Sequence, residues 1–143
     1  MDYEALYTDL GYLFYSIAAS DGKISSEERA ALSELIRKQW LPLENSRDEM
    51  GTDEGHYIDI AFDYARDACV PPDEAFERFA DHVRREPDQF DAGLRRMVLQ
   101  SAVDIASVTR RMNKSELTRL NQLEALFRMD PSPWYSKQVG LDR

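Results

Sequence analysis

The residues able to do chemistry in this 143-residue chain are mostly carboxylates. Histidine occurs twice, at His56 and His82, and cysteine once, at Cys69. His56, Asp59, Asp63 and Asp67 recur at i, i+3, i+7 and i+11, which sets an imidazole and three carboxylates along one helix face. Such a face supplies nitrogen and oxygen ligands to a cation. It is also the ordinary polar side of an amphipathic helix. The spacing therefore predicts a solvated acidic stripe, and His56, Asp59, Asp63 and Asp67 form the candidate interaction surface for a basic protein partner.

A second set lies in the octet Asp21-Gly22-Lys23-Ile24-Ser25-Ser26-Glu27-Glu28. It matches the back half of a calcium-binding EF-hand loop, with Asp, Gly, Ile and Glu at loop positions 5, 6, 8 and 12. The front half excludes that loop, because positions 1 and 3 would be Ile17 and Ala19, which carry no side-chain oxygen. Asp21 and Glu28 remain candidate ligands for Ca²⁺ or another divalent cation. Turn chemistry accounts for the same residues: Gly22 suits a positive φ after a helix end, and Ser25 with Glu28 has capping-box spacing.

Other chemistries lack their parts. The di-iron bundle needs Glu-x-x-His on two helices, and the nearest approach is Asp53-x-x-His56. Gly-rich dinucleotide, P-loop and GxSxG motifs are missing from the sequence. Asp81 and His82 are neighbours pointing to different helix faces and receive no role. Cys69 continues an apolar stripe and is expected in the core. The expectation is a non-enzymatic binding protein, with a cation-responsive domain as the alternative and a metal-dependent enzyme behind it.

The elements that must position these residues are helices, giving an all-α fold of about six to seven helices. Apolar residues recur at helical spacing through Leu6–Ile17, Leu32–Trp40, Ile58–Cys69, Phe76–Val83, Phe90–Ile105 and Leu117–Phe127. Pro42, Pro71, Pro72, Pro87 and Pro131 punctuate them. A short last helix around Trp134 is possible on this pattern, and the polar segment 43–55 is expected to be a loop. The length fits one domain spanning 1–143. A net charge of −9 opposes nucleic acid and anionic lipid. No apolar run reaches membrane-spanning length, and the start lacks signal-peptide character, so a cytoplasmic protein is expected.

Two stretches, 6–40 and 94–128, superpose at a constant offset of 88 residues. Leu6 falls on Leu94, Leu10 on Val98, Ile17 on Ile105, Ala18 on Ala106, Leu32 on Leu120 and Leu35 on Leu123. Between them Ser25 falls on Asn113 and Glu28 on Glu116, so both copies place a polar cap and an acid at N-cap and N3 spacing. Ser25, Glu28, Asn113 and Glu116 are accordingly read as turn residues of two related helical hairpins.

The phrase Leu13-Phe14-Tyr15-Ser16-Ile17-Ala18-Ala19-Ser20 with the octet after it resembles the tellurite-resistance TerB-like family. That family includes the region preceding the J-domain of membrane-anchored DnaJ-like co-chaperones. The resemblance covers 6–40 well and 90–128 more weakly. It implies two pseudo-repeated helical units, an acidic surface, a stress-response role, and a metal ion or protein as partner. Asp21, Gly22 and Glu28 match the family motif. The second copy has Thr109-Arg110-Arg111 where the family often has Asp-Gly, and only Glu116 is kept there.

Overall fold

The computed structural model describes residues 3–20, 23–40, 55–107 and 114–128. Within them are six α-helices: α1 (Tyr3–Ala18), α2 (Ser26–Leu35), α3 (His56–Asp67), α4 (Pro72–Arg85), α5 (Ala92–Ala106) and α6 (Lys114–Arg128). Among the described residues there is no strand, and no helix is long and apolar enough to cross a membrane. The predicted cap at Asn113, the turn residues Asp21 and Gly22, and the short helix around Trp134 lie outside the described residues.

α1 is the central element. Its run from Leu6 to Ala18 is apolar on almost every side, and apart from Thr8 all of it is buried. A helix apolar all round has to be surrounded, and α1 packs chiefly on α3 and α4, with α5 and α6 closing the remaining side. Gly11 sets the α1–α3 crossing. A Cβ built there would stand 2.5 Å from the Ile58 carbonyl oxygen and 2.7 Å from the Ala61 Cβ, so only glycine allows this approach.

The helix starts follow local chemistry. Ser25 caps α2: its Oγ accepts from the Glu28 N–H at 3.0 Å, and Glu28 Oε1 accepts from the Ser25 N–H at 2.9 Å. Pro72 opens α4 at a position where no N–H is needed. Asp91 caps α5 by accepting from the Leu94 N–H at 2.8 Å. After α2 the chain widens into a π-helical turn, Ile36–Trp40. That turn carries Trp40 into the core, where its indole N–H donates to Ser101 Oγ at 3.2 Å and its ring meets Tyr7 edge-on. Phe79, Phe90 and Phe127 form a second aromatic cluster.

α1 and α5 end at Ala18 and Ala106, and α2 and α6 start at Ser26 and Lys114, each pair 88 residues apart. Leu10 and Val98, Ile17 and Ile105, and Glu28 and Glu116 are buried at both members.

Candidate functional site

α3 carries the acidic stripe on one side and its apolar stripe on the other: Ile58, Ala61, Phe62 and Ala65 are buried, as their spacing requires. The stripe is not uniformly solvated. Arg29 of α2 reaches across to it, pairing with Asp59 at 3.0 Å and with both oxygens of Asp63 at 2.8 and 2.9 Å. Side-chain exposure is 23% for Asp59, 37% for Asp63 and 72% for Asp67, so only Asp67 stands fully in water. The hydrogen bond from Arg29 holds the Asp63 carboxyl below its ordinary value, against the smaller opposing effect of burial. His56 is exposed and sits 3.5 Å from Asp59. Sequence spacing brought the four groups onto one face but had no means of showing that a residue on another helix takes two of them.

The same outer face of α3 bears Ile60 and Tyr64, each 60% exposed and one helical turn apart. They are two of the four large hydrophobic residues exposed among the described residues. Periodicity hides them, because an apolar residue on the polar side of a stripe reads as noise. Tyr64 also lines a cleft of about 590 Å³ shared with α1 and α4.

A buried polar cluster ties α1 to α4 nearby. Asp9 Oδ2 lies 2.6 Å from His82 Nδ1, Asp9 Oδ1 accepts from Arg78 Nε at 2.8 Å, and Gln89 Oε1 lies 2.6 Å from His82 Nε2. Both ring nitrogens face oxygens, an arrangement that favours the imidazolium with both N–H groups donating. Burial pushes the Asp9 carboxyl up, but the bonds and charges of His82 and Arg78 together bring it below its usual value. The bond to Asp9 raises His82, against burial, and the Gln89 bond adds to the rise. Asp9 and Gln89 thus hold the two ring nitrogens of His82. His82, given no role from its sequence neighbours, is thus joined to a residue 73 positions away. The available signal was Asp9 itself, an acid inside an otherwise apolar helix.

Of the two cation candidates, Glu28 is among the described residues. Glu28 is buried and one of its oxygens serves the Ser25 N–H, while Asp21 lies outside the described residues. Glu116, the equivalent of Glu28, is buried as well. Among the described residues no group of three or more His, Cys, Asp or Glu is placed to hold a metal ion.

Cys69 corrects the expectation of a core thiol: it is exposed. α3 stops at Asp67, so position 69 falls past the helix end with φ of 54°, in the left-handed region. Cys69 N–H donates to Arg66 O at 3.1 Å and Val70 N–H to Ala65 O at 3.0 Å, a complete Schellman closure that turns the side chain outward. No family model, curated protein or solved structure matches the chain.

Proposed function

We propose that the chain is a non-enzymatic protein-interaction module of the TerB-like kind, working through the outer face of α3. The observation that carries this is the pair Ile60 and Tyr64, exposed side by side on a helix whose flanking carboxylates Asp59 and Asp63 are braced by Arg29. Exposed aliphatic and aromatic groups on a rigid element are what a partner can cover with gain, and tyrosine is enriched among residues that dominate binding energy. Bracing by Arg29 lowers the ordering cost on association.

The TerB-like assignment rests on the octet after α1 and on helix boundaries that repeat at an offset of 88 residues. A stress-response role follows from that assignment. Catalysis is disfavoured because His82 is saturated by Asp9 and Gln89. A cation site at Glu28 is disfavoured because its carboxylate already closes a capping box.

Affinity purification from the native host, with wild type beside Ile60→Asp/Tyr64→Asp, tests the proposal. Proteins retained by wild type and lost from the variant support it. An identical set retained by both means that the working surface lies elsewhere.

A further inference from the structure

We infer that the cleft around Arg119 binds a small oxyanion of the phosphate-monoester class, at a site separate from the α3 face. The cleft, of about 320 Å³, lies where the end of α1 meets the starts of α4 and α6, and every described residue lining it is polar. Arg119 carries the inference. Its side chain is 10% exposed, and its guanidinium stands 5.1 Å over the Phe76 ring. Among the described residues its charge is answered by Asp73 alone, at 2.5 Å, and the Asp73 side chain is 91% exposed. Arg119 Nε is buried with no hydrogen-bond partner among the described residues. A cation buried this deeply needs its charge and its N–H groups matched, and a counter-ion almost wholly in water does this poorly.

The neighbouring groups select an anion. Lys114 is exposed at the cleft and pairs with no acid among the described residues. Gln122 Oε1 accepts from Arg119 at 2.9 Å, which leaves the carboxamide NH2 to donate. Ser115 adds an exposed hydroxyl, whereas Ser20 and Thr118 donate theirs to Ile17 O and Lys114 O. Two cations therefore stand against Asp73 alone in the lining, and Glu116 of the same turn is buried outside it. An incoming dianion takes the Arg119 donor from Asp73 and gains Lys114, both as charge-assisted bonds. Asp73 then returns to water at little cost, and it stays in the first turn of α4, where a negative charge is favoured. The net charge of −9 repels extended polyanions, so the ligand that fits is compact.

The test titrates the full ¹⁵N-labelled chain with inorganic phosphate, and with an otherwise uncharged peptide bearing one phosphoserine, against sodium chloride at matched ionic strength. Phosphate is expected to shift the amides of Asp73, Ser115 and Arg119 saturably, beyond any effect of chloride. Tighter binding of the phosphopeptide assigns the ligand to a phosphorylated protein, and equal or weaker binding assigns it to a free small molecule. Lys114→Gln, at an exposed site, should weaken phosphate about fivefold with the rest of the spectrum kept. Asp73→Asn should tighten it, because the competing carboxylate is gone. Shifts no larger than those in chloride would overturn the inference. So would Lys114→Gln binding as wild type does, or Asp73→Asn binding no more tightly.

Discussion

Gly11 of α1 lies against the main chain of Ile58 in α3, with the Ile58 carbonyl oxygen where a Cβ would need to be. The distance from an ideal Cβ to that oxygen is 2.5 Å, and the obstacle is backbone, which cannot swing aside as a side-chain tip can. In an isolated helix Gly→Ala would gain about 1 kcal/mol. Here the overpacking term dominates, and Gly11→Ala should destabilise by about 2 kcal/mol net. Urea unfolding reads this directly. A midpoint equal to or above that of wild type would show that α1 and α3 do not cross at Gly11.

Cys69 holds a left-handed conformation that costs a residue with a Cβ roughly 1–2 kcal/mol, while glycine there loses only backbone entropy. Cys69→Gly should therefore stabilise by about 0.5–1 kcal/mol. The native thiol should also react with a bulky disulfide reagent without unfolding, because it is exposed. A thiol protected until the chain unfolds would restore it to the core.

The Asp9–His82 pair links stability to pH on both sides. Asp9, lowered in the fold, contributes above the unfolded carboxylate value of about 3.9 and loses its contribution as pH falls through the lowered value. His82, raised in the fold, contributes fully below about 6.5 and loses it as pH rises through the raised value. Arg78 beside Asp9, and Arg85, which opposes His82 protonation, keep their charge throughout this range. Stability should peak between those limits and decline on the alkaline side in wild type. In His82→Asn the alkaline decline should be largely absent. Parallel curves for the two proteins would remove the imidazolium from the account.

The stripe on α3 should divide energetically. Asp63→Asn removes a bidentate partner of Arg29 at a half-exposed site and should cost roughly 0.5–1 kcal/mol. Asp67→Asn, in open water beside Arg66, should leave thermal stability within about 0.5 kcal/mol of wild type. Equal losses at both positions would mean that Arg29 does not brace this face.

What was legible in the sequence was local. The α2 start could be read from Ser25 and Glu28 because a capping box is complete within four residues. The buried face of α3 could be read from Ile58, Ala61, Phe62 and Ala65 because periodicity records which side is covered. Tertiary partners left no such mark. Gly11 has no pattern until α3 is laid across it, and Arg29 looks like any surface cation until Asp59 and Asp63 come within reach. Extending the stripe of α3 past Asp67 puts Cys69 in the core, but by position 69 the chain has turned left-handed. Ile60 and Tyr64 stayed hidden for the opposite reason, since apolar residues exposed to water run against the rule used to find the helix.

Amide hydrogen exchange of the full chain, free and bound to a purified partner recovered from the host, tests the central claim most directly. The account predicts new protection across the amides of α3 around Ile60 and Tyr64, with α5 and α6 unchanged. Protection concentrated on α5 or α6, with α3 exchanging as it does in the free protein, would contradict it.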